Sequence, residues 1–178
     1  PARAQTRTGY FSTTEVETVL SLLSVIDNPM QDIPLAAVLR SPVVGMSDDE
    51  MAWMMASYKK NTKKGQDRGV YGAWKLWEEE REHPGLREAL EHPGGAFENE
   101  TGDPEDAVRI GAAVVPVEQA ALIWKKLEDF GVLLKELRTE ARYRPIHELL
   151  YYVYRRSRYY DYVSAMPAGE IRRGNLDM

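Results

Sequence analysis

The apolar positions that follow Thr13 recur at helical spacing. Val16, Val19, Leu20, Leu23 and Ile26 share one face, and Leu22 and Val25 widen it, so the pattern predicts an amphipathic helix. Ser12, with Glu15 three residues on, predicts a capping box at its start. Asn28-Pro29 predicts its end, because proline disfavours helical backbone in the residue before it. A shorter helix is predicted from Asp32, with Pro34 in the first turn, where the missing N–H does no harm. Leu35, Val38 and Leu39 form its inner face, and Ser41-Pro42 and Gly45 end it.

The same reading carries down the chain. Ser47 and Glu50 repeat the capping-box pattern and open a helix to about Lys60, with Met51, Met54, Met55 and Tyr58 as its stripe. A helix from Ala73 to Glu82 carries Trp74 and Trp77. Two His-Pro-Gly turns follow, at His83 and His92, and residues 92–104 read as a mobile loop. Pro104 is expected to open a helix through Ile110. Pro116 is expected to open the longest one, to about Ala141, with Ala120, Ile123, Trp124, Leu127, Phe130, Leu134 and Leu137 inside. Pro145 opens a last long helix with Ile146, Leu149, Leu150, Val153 and Tyr154 inside. Met166 to Gly169 breaks it, and another helix begins near Glu170. No segment alternates with period two over a useful length, and Val114 to Val117 is short and broken by proline. The predicted class is all-α, one irregular multi-helix domain over residues 1–178.

Composition bounds the function. The 178 residues suffice for one domain with a real core. There is no cysteine, which removes disulfides and thiolate metal ligands, and no apolar run approaches the ~20 residues needed to span a bilayer. Net charge is −5, but it is unevenly spread. Lys59, Lys60, Lys63, Lys64 and Arg68 form one basic stretch, and the chain from Glu78 to Asp106 is acidic. Arg138, Arg142, Arg144, Arg155, Arg156, Arg158, Arg172 and Arg173 form a second basic region. Nucleic-acid contact must then be a local patch on an acidic body.

Candidate chemistry is sparse. No G-x-x-x-x-G-K-[ST] loop is present, so ATP hydrolysis is not assigned to this chain. His83 and His92 lie near Glu88 and Glu91, but histidines in proline turns lack the i, i+4 geometry of zinc sites, and no metal is expected. The acidic block reads as a solvated face, and the tryptophans at helical spacing read as core rather than as base-stacking platforms. One feature survives: Val43-Val44-Gly45-Met46-Ser47 delivers the chain through a glycine turn to a helix N-terminus, where backbone N–H groups can hold a phosphate without reading sequence. Gly45, Met46, Ser47 and Asp48, with Lys59, Lys60, Lys63 and Lys64, are the candidate DNA contacts. An ordinary capped interhelical turn is the competing reading.

The order Gly9, Tyr10, Phe11, Glu15, Asn28, Pro29, Asp32, Pro42, Gly45 resembles a motif of the UvrD-like superfamily 1 DNA helicases. The segments VIDNPMQDIPLAAVLRSPVVG and YYDYVSAMPAGEIRRGNL are similar to stretches of the A subunits of AddAB-type ATP-dependent helicase/nucleases. They bracket the chain, and residues 46–116 match poorly. The resemblance implies an excised piece of a larger helicase chain, an inserted helical subdomain of the 2B type. Residues 1–10 and 170–178 would connect it to the missing motor, and Phe11, Glu15, Asn28, Pro29, Asp32 and Pro42 would be motif or hinge positions. It implies a role in double-strand-break repair and recombination, contact with duplex or forked DNA, and a companion nuclease subunit. ATP and magnesium would be used by the parent, an exonuclease as well as a helicase, and not by this piece. It also implies a cytoplasmic setting and a monomeric fragment. The Gly-Ile-Gly turn that such helicases place on the duplex is represented here by Gly45 alone, with Val44 where a basic residue often stands. The alternative is a protein-interaction module that docks the partner subunit or the parent motor through the acidic middle and tyrosine-rich end.

Overall fold

The computed structural model describes residues 13–59, 69–80 and 107–178. They form α1 (Thr14–Asp27), α2 (Asp32–Arg40), α3 (Asp48–Lys59), α4 (Gly69–Glu80), β1 (Ala107–Ile110), β2 (Ala113–Pro116), α5 (Val117–Glu140), α6 (Ile146–Ser157), α7 (Tyr159–Ala165) and α8 (Gly169–Asp177). The class is all-α, with one small hairpin among the described residues. The chain divides into two compact units, one of Pro1–Val43 and Val132–Met178, the other of Val44–Gly131.

In the first unit, α1 packs on α2 and α8, and α7 packs on α6 and α8. The predicted stripe of α1 is its core face: Val16, Val19, Leu22, Val25 and Ile26 are buried in a unit that also buries Leu35, Val38 and Leu39. Leu20 corrects the stripe, since it faces solvent. The corner between α1 and α2 is an Asx turn, in which the Asn28 side-chain oxygen accepts the Met30 N–H at 3.0 Å. The expected cap of α1 is not the observed one. Thr13 holds the N-cap position, Ser12 lies outside the described residues, and the Glu15 carboxylate is engaged elsewhere.

The last long helix expected from the sequence is two helices. Arg158 takes the left-handed conformation at φ 54° and separates α6 from α7. Ser157 fixes the break, its hydroxyl donating to Val153 O at 2.7 Å and accepting the Tyr159 N–H at 3.3 Å. Neither glycine nor proline marks this site, so the pattern gave no warning. Ile146, expected inside, is exposed.

In the second unit, α3 packs on α4 and on β2. The helix expected through Ile110 is instead β1, paired antiparallel with β2 in the register Ala107 with Pro116 and Ile110 with Ala113. Gly111 supplies the turn at φ 52°. The Ala112 N–H donates to Ser57 O at 3.0 Å and ties the turn to α3. Val108, Ile110, Val114 and Val115 are β-branched and suit a short pleated surface, and Pro116 sits at the strand's end, where it is tolerated. The same unit holds a tryptophan core. Trp77 and Trp124 rings meet at 4.9 Å, Trp74 and Phe130 rings at 5.2 Å, and Trp124 Nε1 donates to Trp77 O at 2.7 Å. These three tryptophans are buried and offer no ring to a base.

Candidate functional site

The glycine turn can be built residue by residue. Gly45 takes φ 74° with open space around its Cα, which turns the chain into α3. Met46, next in line, is only 4% exposed, so its side chain belongs to the core and the turn presents Gly45, Ser47 and Asp48. The predicted capping box is formed in both directions. Ser47 N–H donates to Glu50 Oε2 at 2.7 Å, and Glu50 N–H donates to Ser47 Oγ at 3.2 Å.

A residue distant in sequence completes the turn. Lys126 of α5 donates to Gly45 O at 2.8 Å and to both Glu50 oxygens at 2.8 and 2.7 Å. Burial alone would raise the Glu50 carboxyl. The hydrogen bonds from Lys126 and Ser47, with the Lys126 charge, outweigh it and hold the group below its usual range. Two amides that a phosphate would use are thus partly committed: Ser47 N–H to a carboxylate, Glu50 N–H to a hydroxyl. An incoming anion would compete with Glu50 and meet Asp48 and Asp49. Lys126 supplies a cation beside the turn, but Glu50 neutralises it.

Of the other candidate contacts, Lys60, Lys63, Lys64 and the motif residue Phe11 lie outside the described residues, as does the side chain of Lys59. Asn28 and Pro29 form the α1–α2 corner, Asp32 opens α2, and Pro42 is exposed just beyond it.

Glu15 is where the two ends of the first unit meet. It is 3% exposed, and its carboxylate accepts from Arg172 Nη1 at 2.8 Å and Asn175 Nδ2 at 2.7 Å. Arg172 is positioned in turn by donating from Nε to Pro167 O at 3.2 Å. Ala168, in the left-handed region at φ 58°, and Gly169 set the start of α8. A Cβ on Gly169 would lie 2.1 Å from Ser164 O, so only glycine allows α8 to come this close to α7. Burial raises the Glu15 carboxyl, but the Asn175 hydrogen bond, its own backbone and Arg172 together hold it below the usual carboxylate range. The sequence singled out both Glu15 and residues 170–178, but not that they touch.

Beside this clasp runs a groove of ≈ 830 Å³ whose walls include Leu20 and Ser24 of α1, Ile33 and Pro34 of α2, and Tyr159 and Tyr162 of α7. Burial pushes the Tyr159 hydroxyl up despite a hydrogen bond with Thr18. Nothing lining it forms a nucleophile–base pair. Among the described residues, no three of His, Asp and Glu converge as a metal site would need, and His83 and His92 lie outside them. No described helix is long and apolar enough to cross a membrane.

No family model matches the chain. Individual proteins do. It is 37% identical over 176 residues to the A subunit of the ATP-dependent helicase/nuclease of Anoxybacillus flavithermus, a match covering 99% of this chain and 11% of that protein. The corresponding protein of Bacillus cereus is 36% identical over the same span, and that of Thermoanaerobacter pseudethanolicus is 35% identical, with 10% of its length covered. The chain is therefore homologous, over nearly its whole length, to a segment of the A subunits of ATP-dependent helicase/nucleases, and it spans about 11% of such a relative.

Proposed function

We propose that the chain is an inserted helical accessory subdomain, of the 2B type, of an ATP-dependent helicase/nuclease that acts in DNA double-strand-break repair and recombination. It contacts the backbone of duplex DNA near the fork and performs no chemistry itself. The observation that carries this reading is the Glu15–Arg172–Asn175 clasp. An inserted subdomain leaves and rejoins its host at one place, and the clasp ties the first turn of α1, a few residues beyond the first connection at 1–10, to Arg172 and Asn175 of the second at 170–178.

ATP and magnesium would be needed by the parent. In this chain the sequence has no G-x-x-x-x-G-K-[ST] phosphate-binding loop. The parent would also have a companion nuclease subunit, since the relatives are named as one lettered member of an assembly. Binding through phosphates should ignore base sequence. The test is fluorescence anisotropy of the 178-residue chain with labelled forked and blunt duplexes of two unrelated sequences, alongside Gly45→Asp and Lys63→Glu/Lys64→Glu variants. Equal affinity for the two sequences supports the reading. Absence of binding at 50 mM salt, with native helical circular dichroism, refutes it.

A second reading is favoured by the net charge of −5: a module that docks the partner subunit or the parent motor. Charge reversal at Glu78, Glu79 and Glu80 would then abolish capture of the companion protein while leaving duplex binding unchanged.

A further inference from the structure

The second basic region of the sequence is sorted by the fold into paired and unpaired cations. Arg156 Nε donates to both Glu136 oxygens at 2.8 Å. Arg144 is held by Glu140 and lies 3.8 Å from Glu148. Arg172 belongs to the Glu15 clasp. These three arginines, with their carboxylates, add little net charge.

Of the arginines that remain (Arg138, Arg142, Arg155, Arg158 and Arg173), Arg138 and Arg142 fall in a stripe with Lys135. Lys135 and Arg138 stand one turn apart on α5 and are exposed. Arg142 follows one turn on, also exposed, in the hydrogen-bonded turn that prolongs the helix, where Ala141 N–H meets Leu137 O at 2.9 Å and Arg142 N–H meets Thr139 O at 3.3 Å. Positions i, i+3 and i+7 share one helix face, and seven residues of helical rise span about 10 Å. None of the three side chains has an ion-pair partner among the described residues. The acidic neighbours that would cancel them, Glu136 and Glu140, are occupied by Arg156 and Arg144. Tyr143, 82% exposed, closes the stripe. The helix dipole favours a cation in the last turn, but it does not account for three in line beside a bare ring.

We propose that Lys135, Arg138 and Arg142 form a phosphate-backbone contact for duplex DNA, separate from the Gly45 turn. The inference rests on the duplex-binding reading and goes beyond it by naming the surface. Its chemistry differs from that of the turn: exposed cations with no ion-pair partner among the described residues release counterions on binding, whereas the turn must first give up Glu50. Arginines along one strand bind without reading sequence.

The experiment is duplex binding by the 178-residue chain from 50 to 200 mM salt, with Arg138→Gln/Arg142→Gln and, as a charge-matched control, Lys125→Gln/Arg173→Gln. Three phosphate contacts predict a loss of roughly 40-fold in affinity across that salt range, and one remaining contact predicts only about 4-fold. The stripe variant should show the shallow dependence and at least about tenfold weaker binding at 50 mM; the control should stay within about twofold of the parent dependence. All four positions are exposed, and circular dichroism verifies the fold. If the chain binds duplex and the stripe variant matches wild type or the control, the inference is overturned while the duplex-binding reading stands. If the unmodified chain does not bind duplex at 50 mM salt, both fall.

Discussion

Glu15→Gln is the most informative single change in the first unit. The substitution keeps shape and volume but removes the charge that Arg172 faces at 2.8 Å, and it places an amide group opposite the donating amide of Asn175. Leaving one partner of a fully buried ion pair alone costs about 3–5 kcal/mol. Here the Arg172 side chain keeps 32% of its exposure and can turn to water. The loss is therefore nearer that of one charged hydrogen bond, about 1.5–3 kcal/mol. For a chain of this size that corresponds to a fall in Tm of roughly 3–12 °C.

The pH dependence gives a second signature. The folded-state pKa of Glu15 is depressed, with burial raising it and the Asn175 bond, the backbone and Arg172 overcoming that. Its stabilisation is then full above the unfolded-state value, about 4.3, and is lost as pH falls through the folded-state value. Thermal unfolding followed by circular dichroism from pH 7 to pH 3 should show the gap between wild type and Glu15→Gln shrinking below about pH 4.3. An unchanged Tm at pH 7, or a gap that widens on acidification, would refute the reasoning that the clasp is an ionised contact holding α8 to α1.

Other consequences are as definite. Trp124→Phe should cost more than Trp77→Phe in hydrogen-bonding terms, because Trp124 Nε1 donates to Trp77 O, whereas Trp77 Nε1 is buried without a partner among the described residues; urea midpoints rank the two. Ser47→Ala should destabilise by about 1 kcal/mol through loss of the cap and speed hydrogen exchange at Glu50, whose N–H the hydroxyl accepts. Gly169→Ala should displace α8, since its Cβ would meet Ser164 O at 2.1 Å, and Glu15→Gln should then add nothing further to the loss. Ala168→Gly relieves a left-handed residue and should raise stability by about 0.5 kcal/mol, measured on the same melts.

Helical periodicity made most of the architecture legible. The stripes of α1, α2 and α5 mark their buried faces, and Ser47 with Glu50 announced a cap that forms atom for atom. What stayed hidden has physical reasons. β1 is four residues long, too short for alternation to outweigh a helix-starting proline upstream. The break at Arg158 depends on a hydroxyl of Ser157 rather than on a breaker residue. Charge was the least legible property. The arginines of the second basic region look alike in sequence, yet the fold neutralises Arg144, Arg156 and Arg172 and leaves Arg138 and Arg142 outward. Likewise Lys126 lies 76 residues from Glu50 in the chain and could not be assigned to the glycine turn by any local pattern. Met46, counted among the candidate contacts, proved to be part of the core because the turn at Gly45 points it inward.

On the proposed function, this acidic chain holds duplex DNA by a small set of phosphate contacts. The most direct measurement is the slope of log binding constant against log salt for the chain on a forked duplex. A slope of roughly −2 to −3 is predicted for two or three phosphates neutralised. A slope near zero would contradict the account, as would the absence of any binding at low salt by the folded chain.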